Sequence, residues 1–512
     1  MKSRTDNTIR NTVVELIGQV TMILLTFIVR TIFIKFLDIS YLGINGLFSN
    51  ILSVLSFAEL GFGTAITYAL YKPIAKNDKL QIVLLMKFYK KVYKTVGSLV
   101  FLLGISLTPF LNFFINDIKK LPDNLPPIIL IYLLYLLNSV LSYFFNYKRT
   151  LIIASQNGYL NTINTVSFNI IQNILQAIVL IFWKNYILYL LIQIFCTLIS
   201  NILISRKVDI LFPYLNIISD KKLSKEDLRP ILKNVIGMSF HKFGAIIVNG
   251  TDNILISKFI GIKMAGVYSN YFLISNTIRY FYMRCFSAIT ASLGNLLVDK
   301  KGEEIYLYFK KIYFINMCIA VIFSNGLMTL LNPFISLLWG EKYTFNLVVV
   351  FCIVLNFYMT CMRQTFLIFI EADGLFWKLK WKAFWEAIIN LVSSLFFIKI
   401  FNLEIKGIIC GTILSNILTN FWWEPYILYK YTLLKEYTDY LKKYTYYFMI
   451  FIINIFISLY LEKEISNTII GFIERGIISF VISSGSILIL FRKTDEFYFL
   501  LNILNKIISR KK

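Results

Sequence analysis

Long apolar stretches alternate with short polar connections along the chain. The stretches cover 13–36, 44–71, 92–115, 127–147, 160–183, 186–205, 234–260, 266–293, 308–331, 345–369, 379–401, 405–430, 445–461 and 468–491. Each is long enough to form a helix through a hydrocarbon core, which takes roughly 17–25 residues. They run well past the roughly ten-residue alternating strands of a membrane β-barrel. The predicted fold is an all-α polytopic membrane protein with 14 transmembrane helices. Pro73, Pro122, Pro126, Pro127, Pro213, Pro230 and Pro333 are predicted in loops or at helix ends, and Pro109 and Pro425 at kinks within or near the ends of spans. The first stretch is too long for a signal-peptide core and no small-residue cleavage site follows it, so it is read as a retained helix.

Composition agrees with this pattern. Of 512 residues, 57% are hydrophobic and 16% charged, against roughly a quarter charged in soluble domains. The formal charge of +24 would suggest a nucleic-acid partner in a soluble protein. Its distribution points elsewhere. With sides alternating at every span, 36 of the 52 Lys and Arg share the face of the N-terminus and ten lie opposite. The positive-inside rule then makes that face, and both termini, cytoplasmic. No nucleic acid is needed to explain the charge. The basic tail 492–512 sets Phe497, Leu500, Leu501, Leu504, Ile507 and Ile508 at helical spacing, as a helix lying on the anionic inner leaflet would, with a solvated tail as the alternative. Six cysteines in apolar stretches without CxxC spacing, and one histidine, His241, indicate no disulfide framework, metal site or cofactor.

Ionisable residues at membrane depth are costly and usually face a cavity or a partner. Glu59 and Arg279 are predicted deepest; Arg30, Asp252, Arg284, His241, Arg363 and Glu386 lie nearer a boundary. Arg30 and Arg363 are near enough to the headgroups to snorkel. Gly61 and Gly63 after Glu59 suit either a loosened helix whose carbonyls help to hold a cation or close helix packing. Two segments carry polar stripes: Asn161, Thr165, Asn169, Gln172, Asn173 and Gln176 in one, Glu386, Asn390, Ser393 and Ser394 in another. Such stripes fit a hydrated cavity for a sugar-like group or hydrogen bonds between helices. Their occurrence in both segments favours the cavity. The chain has no GxxxxGK[ST] loop, GxSxG elbow or HExxH pair, and no large outer loop, which argues against an enzyme and against an outer-face polymerase or ligase.

An internal repeat with an offset of 223 residues aligns Lys35-Phe36 with Lys258-Phe259, Ile39 with Ile262, Gly43 with Gly266 and Ala65-Ile66-Thr67 with Ala288-Ile289-Thr290. At Tyr41-Leu42-Gly43-Ile44-Asn45-Gly46-Leu47-Phe48-Ser49-Asn50, then Glu59-Leu60-Gly61-Phe62-Gly63 and Leu70-Tyr71-Lys72-Pro73, and again at Thr251-Asp252-Asn253-Ile254-Leu255-Ile256-Ser257, the sequence resembles the Wzx-type polysaccharide flippases. These belong to the multidrug/oligosaccharidyl-lipid/polysaccharide exporter superfamily. The resemblance implies two pseudo-symmetric six-helix lobes, 1–205 and 234–430, joined by a cytoplasmic connection 206–233, with two further helices in 431–491. It implies a bacterial plasma-membrane flippase that carries undecaprenyl-pyrophosphate-linked repeat units from inner to outer leaflet by alternating access. H+ or Na+ would be the candidate driver, and other polysaccharide-assembly membrane proteins candidate partners. On that basis Arg30, Arg279 and Arg284 are pyrophosphate candidates, since guanidinium forks suit phosphate. Glu59 and Asp252 are candidates for ion coupling or gating, and Asn169, Gln172, Asn173, Gln176, Glu386 and Asn390 for the cavity wall. An ion-coupled multidrug exporter and a peptidoglycan-precursor flippase share the fold and stand as alternatives. Against the first, Arg30 would repel a cationic drug.

Overall fold

The structure is a computed structural model that describes residues 4–59, 62–116, 121–216, 223–299, 302–379 and 381–509. The side chains of His241 and Cys285 lie outside the described set, as does Gly61. Every regular element among the described residues is helical. In chain order these are α1 (Arg4–Phe36), α2 (Ile39–Leu55), α3 (Phe62–Ala75), α4 (Lys79–Leu107), α5 (Leu111–Phe114), α6 (Ile128–Asn146), α7 (Arg149–Ala154), α8 (Gly158–Phe182), α9 (Tyr186–Leu211) and α10 (Lys225–Phe259). There follow α11 (Ile262–Asp299), α12 (Glu303–Trp339), α13 (Leu347–Met362), α14 (Gln364–Ala372), α15 (Lys382–Lys399), α16 (Glu404–Leu418), α17 (Asn420–Leu428), α18 (Tyr437–Leu461), α19 (Ile469–Phe491) and α20 (Asp495–Ser509). Among the described residues, eight segments form helices long and apolar enough to cross a membrane. The chain is a multi-pass membrane protein.

Helices occupy all fourteen apolar stretches, but four stretches are broken, 92–115 among them at the turn Thr108–Phe110 between α4 and α5. The stretch 44–71 is α2, a tight turn Ser56–Glu59, and α3. That at 345–369 breaks at Arg363, and that at 405–430 at Thr419. Polar side chains start several helices by accepting from amides that have no partner in the first turn. Asp38 takes Ser40 N at 2.8 Å, Asn185 takes Leu188 N at 2.9 Å and Asn346 takes Val348 N at 2.7 Å. The prolines depart from expectation: Pro73, Pro230 and Pro333 lie inside α3, α10 and α12. At Pro333 burial outweighs the lost backbone bond, because the helix runs on to bury Ile335 and Trp339.

The helices form two compact units, Met1–Gly266 and Val267–Lys512. In the first, α8 packs on α1 and α9, α6 on α4 and α9, and α2 on α10. The conspicuous sequence Gly43-Ile44-Asn45-Gly46 has a packing explanation there. A Cβ on Gly43 would lie 2.0 Å from Ile262 O, and one on Gly266 would lie 2.4 Å from Ile39 O. Both pairs consist of residues that the 223-residue offset makes equivalent, so the contact is reciprocal. Asn45 Oδ1 accepts from the phenols of Tyr135 and Tyr186, and Gly46 faces Asn253.

In the second unit, α12 is the axis on which α13, α18 and α19 pack. Asn325 of α12 donates to Ser458 Oγ (2.8 Å), Ser479 O (3.1 Å) and Ser483 Oγ (2.9 Å), tying both last long helices to it. The tail forms the expected helix, α20, and docks on α12, with Phe499 against Tyr308 and beneath Lys311.

Candidate functional site

In the first unit, the break between α2 and α3 sets Glu59 among tyrosines. The Tyr93 hydroxyl donates to Glu59 Oε1, and Tyr143 donates to Ser56 Oγ at 2.8 Å. The rings of Tyr89 and Tyr93 meet edge to face, 4.4 Å between centroids. Gly63 makes room for both phenols, since a Cβ there would lie 3.3 Å from the Tyr89 oxygen and 3.7 Å from that of Tyr93. Thr150 of α7 donates to the Tyr89 oxygen at 3.4 Å.

The neighbouring residue, Arg149, is the hub of the polar stripe on α8. Its Nη1 donates to Asn161 Oδ1 (2.8 Å) and Thr165 Oγ1 (3.0 Å). Its Nη2 donates to Asn164 Oδ1 (3.1 Å) and, on α9, to Ser200 Oγ and Asn201 Oδ1 (both 2.9 Å). All five acceptors are neutral. Farther along α8, Asn169 donates to Thr165 O at 2.8 Å, Gln172 to Gln176 Oε1 at 3.4 Å, and buried Gln176 to Tyr189 O of α9 at 3.1 Å. Asn173 is half-buried. The stripe therefore works in good part as interhelical hydrogen bonding. Arg30 of α1 lies half-buried beside Tyr189, and Asp252 lies half-buried on α10.

In the second unit, Arg363 stands where α13 gives way to α14. Breaking a helix frees carbonyls, and buried Asn316 of α12 donates to two of them, Cys361 O and Met362 O, both at 3.1 Å. Arg363 does not snorkel. Its Nε and Nη2 grip both carboxylate oxygens of Glu424 on α17 at 2.5 and 2.6 Å, the bidentate geometry a guanidinium favours. Lys382 Nζ lies 2.7 Å from Glu424 Oε1 and 3.2 Å from Glu386 Oε2. Asn420 donates to Glu386 Oε1 at 2.7 Å. Two cations and two carboxylates thus close a neutral quartet, in which Glu424 is 1% exposed and Lys382 6%. A cavity of about 20 Å³ beside it, walled by Met359, Arg363, Asn416, Asn420, Tyr440 and Tyr444, has room for about one water and none for a sugar. Asn390 is fully buried and donates to Thr412 Oγ1 at 2.9 Å, joining α15 to α16.

Arg279 of α11 lies near Cys361 and Arg363, and its Nη2 donates to Asn276 Oδ1 at 2.6 Å. Among the described residues it has no carboxylate partner. Arg284, five residues on, points about 140° away around the helix. It is exposed and stacks on Tyr280, whose hydroxyl accepts from its Nη2 at 2.6 Å. Arg279 and Arg284 therefore do not form one fork. Arg149, Lys382 and Glu424 emerge only from the structure. Glu424 lies inside the apolar stretch 405–430 and was detectable as another intramembrane carboxylate, whereas the Lys148-Arg149 pair reads in sequence as an ordinary basic loop.

No protein-family model matches the chain, and no curated protein matches it by sequence. Solved structures do. The lipid II flippase MurJ, in an inward closed conformation, aligns with a TM-score of 0.62 at 16% identity, covering 94% of this chain and 99% of its own. An inward-facing multidrug resistance MATE family transporter of the MOP superfamily aligns at 0.57 and 14%, covering 80% and 95%. A MOP superfamily transporter from Pyrococcus furiosus aligns at 0.51 and 13%, covering 82% and 94%. The fold is that of MOP-superfamily transporters. These proteins are transporters and flippases, not enzymes, and they differ in what they move, so the fold by itself leaves the cargo of this chain to be argued from its residues.

Proposed function

We propose that this protein flips a lipid-linked, pyrophosphate-bearing oligosaccharide from the inner to the outer leaflet of a bacterial plasma membrane. All fourteen helical stretches cross the membrane in this reading, and both termini are cytoplasmic. The observation that carries it is Arg279. Its neighbour Arg363 is neutralised by Glu424, while among the described residues the Arg279 guanidinium bonds a neutral amide and no carboxylate. An intramembrane cation without a counter-ion is costly unless an anion arrives, and a phosphate supplies one with acceptors that suit a guanidinium. Arg30, in the first unit, is a further candidate cation for a pyrophosphate. Alignment with the lipid II flippase over 94% of the chain supports a lipid-linked cargo. The peptidoglycan-precursor reading shares its lipid and pyrophosphate; the multidrug reading is disfavoured by these arginines, which repel cationic drugs. Glu59 is the candidate coupling carboxylate, with H+ or Na+ as driver.

The test is reconstitution of the purified protein into vesicles with a defined undecaprenyl-pyrophosphate-linked repeat, with and without ion gradients. Appearance of the repeat on the opposite leaflet is expected. Absence of flipping, with drug efflux in its place, would overturn the proposal.

A further inference from the structure

The cluster around Glu59 has a direction. Thr150 donates to Tyr89, the Tyr89 and Tyr93 rings meet 4.4 Å apart with both phenol oxygens over Gly63, and Tyr93 donates to Glu59. Four oxygens from three parts of the first unit thus form one file. It begins on α7, beside Lys148 and Arg149, and ends at a carboxylate in a helix break. The geometry points to a proton relay that loads Glu59 from the α7 side. This inference deepens the coupling part of the proposed function and rests on it, with H+ as the ion.

The step conserves every atom. Glu59 takes the Tyr93 proton as Tyr93 takes that of Tyr89, Tyr89 takes that of Thr150, and Thr150 takes one from a hydronium ion. The sum converts hydronium and carboxylate into water and carboxylic acid, with no phenolate or alkoxide left behind. Rotation of the three hydroxyls then resets the file. Gly63 is part of the design, since a side chain there would press on the Tyr89 oxygen and touch that of Tyr93.

The other groups around the break fit this reading. Tyr143 of α6 faces the turn, donates to Ser56 and lies against Glu59 as well. From α2 no titratable group reaches it. Helix α10 packs on α2, on the Ser56–Glu59 turn and on α3; among its described residues Gly250 faces Val54 and Asn253 faces Gly46, with Asp252 between them. Lys72 of α3 and Lys90 and Lys94 of α4 are exposed, and Lys148 is paired with Asp209 at 2.6 Å. Among the described residues the groups against Glu59 are phenols, Tyr93 and Tyr143, and not cations.

The test uses the full-length protein in phosphatidylethanolamine and phosphatidylglycerol vesicles, with protons released by a laser flash from a caged compound. Time-resolved infrared spectroscopy follows the carboxylic-acid C=O band, which Glu59→Gln assigns by its loss. Tyr89→Phe removes one oxygen and keeps the ring. It is expected to slow the rise of the band about tenfold or more while leaving its titration midpoint in place, and Thr150→Val is expected to act the same way. Tyr93→Phe is expected to slow the rise and also shift the midpoint, because it contacts the carboxylate. A wild-type rate in Tyr89→Phe, or a spectrum with no band lost in Glu59→Gln, overturns the relay. No cargo is present in this measurement, so it stands or falls separately from the flipping assay.

Discussion

In the first unit Arg149 opens the short helix that follows α6, and in the second Arg363 stands at the start of the one that follows α13. Each arginine ties a helix break to the long helices that come next, Arg149 to α8 and α9, Arg363 to α17 and through Lys382 and Glu386 to α15. Their partners differ in kind. Arg149 is held by five neutral amide and hydroxyl oxygens, Arg363 by the nearly inaccessible carboxylate of Glu424. Neutral acceptors spread over two helices position a charge without cancelling it, and each can rehydrate or re-pair if the arginine is lost. A buried carboxylate cannot, because its desolvation was offset only by its cations. The first hub is therefore tolerant and the second brittle.

The largest effect is expected where the brittle hub loses its centre. Glu424→Leu leaves Arg363 and Lys382 facing each other without their shared anion and should cost about 3–5 kcal/mol, read as a fall in unfolding temperature in detergent. Replacing both partners, Arg363→Met with Glu424→Leu, should recover a substantial part of that loss, because Lys382 keeps Glu386 and no unpaired charge is left from the principal pair. A double variant as unstable as the single one would show that geometry, not charge cancellation, holds the quartet. Arg149→Met should be milder, about 1–3 kcal/mol, since it frees neutral acceptors and no charge, and Ser200 already donates to Asn164 at 2.8 Å. A loss equal to that of Glu424→Leu would erase the distinction between the hubs.

The sequence made the helices legible because hydrocarbon selects long apolar runs whatever their neighbours. It hid the break at Arg363, since an apolar run does not reveal where a neighbouring Asn316 will take over freed carbonyls, and the one at Thr419 lies in a similar apolar run. The polar stripes were visible, but their partners were not. Arg363 and Glu424 lie 61 residues apart, and nothing local says that they meet. Glu59 beside glycines was legible as a break with a carboxylate, whereas its tyrosines come from α4 and α6. The repeat was legible at Gly43 and Gly266 for a physical reason: backbone contact admits only glycine, and the constraint acts on both members of the pair.

The central claim is that an uncompensated arginine receives the pyrophosphate, and the flipping assay on Arg279→Ala tests it most directly, with Arg284→Ala as the exposed control. Arg279→Ala should lower the rate of flipping at least about tenfold, the kinetic equivalent of roughly 1.4 kcal/mol, in protein whose unfolding temperature is unchanged. Flipping at the wild-type rate in Arg279→Ala would contradict the account.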